Sequence, residues 1–147
     1  MKKQLNKLNA CNEVVNWVGE KDLKTAWQEC ERGDWMLWYL QKTELDIRKL
    51  TLIKAECANL VKHLMEDERS KKAVDAAIAF GNGEISRTEL DAIYDAAAAA
   101  YAAAYAAAAA DAAAYAAYAA ADADADAAAG KDTLKKCADI CRKYVIK

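Results

Sequence analysis

The sequence predicts an all-α fold, a single-domain bundle of about six to eight helices that includes one long alanine-rich helix. Three observations point there. The 147 residues include no proline, which loop-rich β folds usually need in their turns. Ala, Leu, Lys and Glu together make up about half of the residues, and all four are strong helix formers. Apolar residues recur at steps of three and four along much of the chain, the spacing of one helix face.

The elements follow in chain order. Leu5, Leu8, Cys11, Val15 and Val18 form one stripe, so a first helix is expected over Gln4–Val18, stopped by Gly19. A second is expected over Asp22–Glu31, with Leu23, Ala26, Trp27 and Cys30 inward and Gly33 in a left-handed terminal position. Asp34 is then placed to cap a third, Trp35–Lys42. That segment is apolar on nearly every side, which requires burial all round or a partner that covers it. Thr43 is expected to cap a fourth helix, Glu44–Met65, striped by Leu50, Ile53, Cys57, Leu60 and Leu64. A fifth, Ser70–Phe80, runs into the turn signal Gly81-Asn82-Gly83.

Ser86-Arg87-Thr88-Glu89 is the clearest local signal. It fits a capping box, in which the Ser hydroxyl accepts from the Glu amide and the Glu carboxylate accepts from the Ser amide. Ile85 and Leu90 stand where a hydrophobic staple would be. A helix is therefore expected to start at Arg87, with no glycine or proline before Gly130. Of the 38 residues from Ala92 to Ala129, 27 are alanine. A straight helix over 87–128 would span about 60 Å at 1.5 Å per residue. A compact domain of this size is only about 40 Å across. The helix must protrude or break, and Asp111 or Asp122–Asp126 are the expected breaks, because Asp is a weak helix former and a good cap. A last helix is expected over Thr133–Val145, with Leu134, Cys137, Cys141 and Val145 inward. The domain thus reads as a short-helix part (1–83), the Ala/Tyr/Asp tract (86–128) and a C-terminal helix (131–147).

Tyr94, Tyr101 and Tyr105 fall within about 40° on a helical wheel. Asp111, Tyr115, Tyr118 and Asp122 form a second stripe. The favoured reading is core, since alanine lets helices approach closely and tyrosine brings apolar area with a polar tip. The sharper alternative is an interaction surface of Tyr115, Tyr118, Asp122, Asp124 and Asp126.

Net charge is −2 but unevenly spread. Residues 94–130 hold five Asp and no basic residue, and the stretch from Lys131 to Lys147 sums to +4. Bulk charge announces neither direct nucleic-acid binding nor membrane adsorption. The longest uncharged apolar run, Ala96–Ala110, has 15 residues, short of the roughly 18 that a membrane span needs. The five cysteines, Cys11, Cys30, Cys57, Cys137 and Cys141, all sit in apolar helical patterns. The basic start lacks the apolar region of a secretory signal. Reduced thiols in the cytoplasm of a bacterial host are the expectation.

Sites for chemistry are sparse. Asp122-x-Asp124-x-Asp126 resembles the opening of a calcium loop, but Ala127 and Thr133 stand where that loop needs Gly and Glu. Cys137 and Cys141 could face one metal, yet zinc needs two more ligands, and His63 is the sole histidine. Phosphate loops, nucleophile elbows and His-Glu-x-x-His are missing. No enzyme, cofactor or metal is expected. The most distinctive segment is Cys30–Trp38, which sets Arg32 and Asp34 around a glycine beside Trp35 and Trp38. It reads first as a helix corner with the rings in the core. Its sharper reading is a recognition pocket, because Arg beside Trp can hold an anion or stack on a flat base.

Leu8–Trp17, Ala26–Trp38, the Ala/Asp/Tyr tract and the closing Leu134–Arg142 together resemble a family of alanine-rich helical proteins of bacteria and phages that carry the label of immunity proteins. The resemblance covers most of the chain and is most specific around Trp27–Trp38. It implies a small helical protein that neutralises a toxin by binding it or, in a phage, antagonises a host defence. It supplies no catalytic residues. The expected function is accordingly a non-enzymatic binding protein that occludes a toxin or defence effector, with a protein as partner. The alternative is a binder that sequesters an anionic nucleotide signal through Arg32 with Trp35 or Trp38. Homo-oligomerisation stays open.

Overall fold

A computed structural model describes residues 1–102 and 126–145, with side chains for 1–95 and 130–145. The described residues form eight α-helices and one 3₁₀ turn, with no strand. The all-α expectation holds. Packing divides the chain, expected as one helical domain, into two compact units: Met1–Leu45 with Leu134–Lys147, and Asp46–Thr133. None of the described helices is long and apolar enough to cross a membrane.

The first unit holds α1 (Lys2–Lys7), α2 (Asn12–Val18), α3 (Leu23–Glu29) and α4 (Gly33–Gln41). It also takes in the part of α8 (Asp126–Tyr144) from Leu134 onward. The expected Gln4–Val18 helix is thus two helices. The backbone of Asn9 turns to φ 57°, a left-handed conformation that asparagine tolerates and a helix does not. This break turns Cys11 out to solvent, against the expected inward stripe, while Leu5, Val15 and Val18 stay buried. Asp22 caps α3 by accepting from the Thr25 amide at 2.7 Å. Gly33 does not end a helix. It opens α4, and Asp34 turns its carboxylate to Arg32 rather than capping.

The reason lies in packing. A Cβ on Gly33 would run into Cys137 Cβ and would stand 2.7 Å from the Leu134 carbonyl oxygen and 2.8 Å from the Ala138 nitrogen. Only a residue without a side chain lets α4 start this close to α8. Arg142, on the same stretch of α8, reaches the open end of α3. Its Nη1 lies 3.1, 3.4 and 2.8 Å from the carbonyl oxygens of Trp27, Gln28 and Cys30. A cation there satisfies the last carbonyls of a helix and complements its dipole. The buried Trp27 indole donates to the Val145 carbonyl at 3.0 Å. Helix α8 itself runs straight through Gly130, where the sequence suggested an interruption.

The second unit holds α5 (Ile47–Asn59), the 3₁₀ turn Lys62–Leu64, α6 (Glu68–Asn82) and α7 (Arg87–Ala102). Asp46, not Thr43, caps α5, accepting from the Lys49 amide at 3.1 Å, while the Thr43 hydroxyl donates back to the Leu40 carbonyl. The fourth helix ends at Asn59, so Leu64 falls in the 3₁₀ turn and is 70% exposed instead of inward. Asp67 caps α6, whose end is Gly83 in the left-handed conformation. Gly81 lies inside α6, where a Cβ would stand 2.5 Å from Leu52 Cβ and 3.2 Å from the Arg48 carbonyl oxygen. Arg48 of α5 donates to the carbonyls of Phe80 and Ile85 at 2.6 and 3.1 Å and lies over the Phe80 ring. Ala55, Ala76, Ala77, Phe80 and Leu90 form a buried cluster, with Ile85 packed against it, and Leu52, Ile53, Cys57 and Val74 are buried as well.

The capping box at the start of α7 forms as expected. The Ser86 amide donates to Glu89 at 2.7 Å, and the Glu89 amide donates to the Ser86 hydroxyl at 3.2 Å. Tyr94 is 43% exposed, so it is not the core residue that its stripe suggested. The side chains of Tyr101 and Tyr105, and the question of a break at Asp111 or near Asp122, lie outside the described residues.

Two outcomes follow. Gly33→Ala and Gly81→Ala should each lower stability by about 1–3 kcal/mol, because overpacking at a tight crossing outweighs the better helix propensity of alanine. Urea unfolding measures this, and a neutral or stabilising alanine at either site would disprove the close approach. The second concerns Asp67, whose carboxyl is held down to about 2, first by the Arg69 side chain and then by the Arg69 amide. A depressed carboxyl stabilises the fold above its ordinary value of 3.8 and loses that contribution as pH falls through the folded value. The stability gap between wild type and Asp67→Ala should therefore be constant above about pH 5 and shrink as the pH falls from about 4 toward 2. Unfolding curves across that range test it; a gap unchanged at the acid end would exclude the carboxylate as its source.

Candidate functional site

The α3–α4 corner carries the arrangement with most chemical character among the described residues. Arg32 is the last residue before α4. Its Nε and Nη2 donate to the two carboxylate oxygens of Asp34 at 2.9 and 2.7 Å, a bidentate fork. Its Nη1 reaches Glu13 of α2 at 3.4 Å. The guanidinium lies 4.4 Å from the centroid of the Trp35 ring. Trp35 meets Trp17, the penultimate residue of α2, edge to face at 5.9 Å. Lys21 then sits 4.0 Å over the Trp17 ring and pairs with Glu29 at 3.0 Å.

The result is a ladder of two indoles in contact with a cation at each end, Arg32–Trp35–Trp17–Lys21, that stitches α2 to the α3–α4 corner. Both indoles are half-buried, and the Arg32 side chain keeps 37% of its surface open. Cations over indole faces are attractive electrostatically, and Arg also stacks through its plane. The ladder is held from below. Cys30, buried next to Arg32, turns its thiol to the Arg32 carbonyl at 3.4 Å, and burial pushes that thiol's pKa up. Gly33 is clamped on α8, so Arg32 and Asp34 project from a fixed backbone.

A shallow apolar cavity adjoins the ladder. Its space is about 30 Å³, and Trp17, Trp27, Trp35, Trp38, Met36 and Leu5 are among its walls. That is room for about one or two waters or the tip of a side chain. Arg32 is not one of its walls. The geometry places Arg32 and Trp35 in contact, puts Asp34 on the Arg32 fork, and sets Trp38 half-buried in the cavity wall. Arg32 therefore does not line an anion pocket in this arrangement; its fork is engaged by a carboxylate of its own chain.

The acidic half of the expected site is not placed. Tyr115, Tyr118, Asp122 and Asp124 lie outside the described residues. Asp126 opens α8, and its side chain likewise lies outside. Sequence reasoning overlooked Trp17, Lys21, Glu13 and Arg142. Trp17 falls off the Leu5–Val18 stripe, and that was the available signal: a tryptophan off the buried face of a short helix needs another neighbour. Among the described residues no group of three or more His, Cys, Asp and Glu is gathered to hold a metal ion. His63 is exposed in the 3₁₀ turn.

No family model, curated protein or solved structure matches the chain.

The ladder generates a measurable coupling. A double-mutant cycle of Arg32→Ala and Trp35→Ala, read by urea unfolding, should give an interaction of about 0.5–1 kcal/mol, the range for a solvent-accessible cation over an indole. Additive single effects would show that the contact contributes nothing.

Proposed function

We propose that the chain is a non-enzymatic binding protein that neutralises a toxin or defence effector by occluding it, of the immunity or phage anti-defence kind. The observation that carries this reading is the half-exposed Arg32–Trp35–Trp17–Lys21 ladder. Trp and Arg dominate the residues that hold protein interfaces together. Here they are held in place before any partner arrives, which lowers the ordering cost of association. The Cys30–Trp38 segment, with the ladder and Trp38, is the anchoring surface on this reading. The acidic stretch 94–130, including Asp122, Asp124 and Asp126, supplies long-range attraction to a basic partner, with Tyr115 and Tyr118 as its aromatic contacts. The nucleotide-sequestering alternative is the weaker choice, because the cavity beside the ladder takes about two waters and a nucleotide needs several hundred Å³.

The test is capture from a bacterial lysate with three forms of the chain: wild type, Arg32→Ala/Trp35→Ala, and Asp122→Asn/Asp124→Asn/Asp126→Asn. The expected outcome is a captured toxin or defence effector, blocked at stoichiometric addition, whose capture drops at least tenfold with the corner variant and becomes less salt-sensitive with the Asn variant. Equal capture by all three forms, or a captured protein whose activity is untouched, would overturn the proposal. A thermal shift with a nucleotide at millimolar concentration would favour the alternative instead.

A further inference from the structure

The turn that ends α6 carries the one Asn-Gly pair of the chain, Asn82-Gly83. An asparagine carboxamide is open to attack by the backbone nitrogen of the next residue, which closes a five-membered ring. A side chain on that next residue obstructs the ring, and glycine has none. Each of the other five asparagines, Asn6, Asn9, Asn12, Asn16 and Asn59, is followed by a residue with a side chain.

Local structure favours the same pair. Asn82, Gly83 and Glu84 are all exposed. Gly83 takes φ 83°, and a Cβ there would meet nothing within 4 Å, so water has free access. The Asn82 carboxamide donates to Glu84 at 3.1 Å, which turns it forward over Gly83 and not back along the helix. The Gly83 amide donates to the Phe80 carbonyl at 3.0 Å. That bond belongs to the last turn of a helix, where fraying releases it first.

The same turn lies inside the Arg48 clasp. One guanidinium nitrogen, Nη1, donates to the Phe80 carbonyl on one side of the pair and to the Ile85 carbonyl on the other. The Glu84 amide closes the turn on the Ala79 carbonyl at 2.9 Å. A single nitrogen reaches both acceptors only at the separation that this turn sets.

We propose that Asn82-Gly83 is a self-modifying site, whose spontaneous conversion to an isoaspartyl link lengthens the α6–α7 turn by one backbone atom and loosens the Arg48 clasp. The Gly83 nitrogen gives up its proton to solvent and attacks Cγ of Asn82. A C–N bond forms, the Cγ–Nδ2 bond breaks, and the departing nitrogen takes up a proton and leaves as ammonia. Water then opens the succinimide at either carbonyl. Opening at Cγ leaves an ordinary aspartate. Opening at the α-carbonyl leaves the chain running through Cβ and Cγ, with a free α-carboxylate. Both products set a new negative charge near Glu84, but only the second adds a backbone atom between the two acceptors of Arg48. The inference does not depend on the binding role proposed above.

The test ages the full folded chain in neutral buffer and reads each asparagine by peptide mass spectrometry. Trypsin releases residues 73–87, between Lys72 and Arg87, with Asn82 as the sole asparagine. Asn82 should lose its amide at least tenfold faster than any of the other five, and isoaspartate should appear beside aspartate. The deamidated fraction, separated by anion exchange, should unfold at lower urea than fresh Asn82→Asp, which carries the charge without the added atom. Asn82→Gln, aged in parallel, should keep its charge and its urea midpoint. Loss at Asn82 no faster than at the other asparagines would overturn the site, and so would aspartate as the only product. A deamidated fraction as stable as Asn82→Asp would overturn the loosened clasp. The wild-type products decide the first question whatever the variants do.

Discussion

Two helices can approach to backbone contact only where one of them has no side chain, and each unit of this chain is organised by such a crossing. In the first, Gly33 at the start of α4 meets the backbone of α8 at Leu134 and Ala138. In the second, Gly81 near the end of α6 meets α5 at Leu52 and Arg48. Both crossings are locked in the same way. An arginine from the facing helix, Arg142 or Arg48, spends its guanidinium on carbonyls at or just beyond a helix end: Trp27, Gln28 and Cys30 around the end of α3, and Phe80 and Ile85 around the end of α6. Steric fit and polar satisfaction are therefore coupled: a crossing widened by a side chain would carry the arginine away from its acceptors. Charged hydrogen bonds are the stronger kind, and a buried acceptor deprived of its donor is costly, so each crossing is more specific than its small apolar area alone would make it.

The candidate site is a consequence of the first crossing. Because Gly33 sits hard against α8, the residues on either side of it have little freedom, and Arg32 and Asp34 face each other across a fixed turn. The Arg32 plane then meets Trp35 one helical turn on, Trp35 meets Trp17, and Lys21 covers the far ring. The charges along this ladder are balanced by Glu13, Glu29 and Asp34. On the binding role proposed above, such a surface would discriminate by shape and by the placement of aromatic edges more than by net charge. The charge of the chain is segregated elsewhere: the first unit holds 12 basic and 8 acidic residues, and the second 9 basic and 15 acidic. On the binding role proposed above, long-range steering and short-range fit would fall to different parts of the chain.

Signals carried by contiguous residues were legible. The Ser86–Glu89 box and the inward faces of Trp27, Cys30, Ile53, Cys57, Cys137 and Cys141 follow from local spacing, because capping and amphipathicity act within one or two turns. The corner itself was also legible, since Arg32, Asp34 and two tryptophans crowd into nine residues. What it is made of was not. Trp17, Lys21 and Glu13 come from α2, and Arg142 from more than a hundred residues away, so no local pattern joins them to Arg32. Local signals also misled where two rules competed. Gly33 has the composition of a helix end and is a helix start. Thr43 has the chemistry of a cap, but Asp46 takes the role.

What the sequence by itself determined is helical class, the Ser86–Glu89 capping box and the inward placement of four of the five thiols, because each depends on propensity and periodicity over a few residues. Tertiary structure decided the rest. It split the first expected helix at Asn9, carried α8 through Gly130, and turned two glycines from chain breakers into contact points. A glycine's local preference is worth about 1 kcal/mol, and the packing and hydrogen bonds gained at a close crossing outweigh it. Tertiary structure also set Asp34 on the Arg32 fork, which makes the most distinctive segment of the chain a rigid aromatic surface and not an open anion pocket.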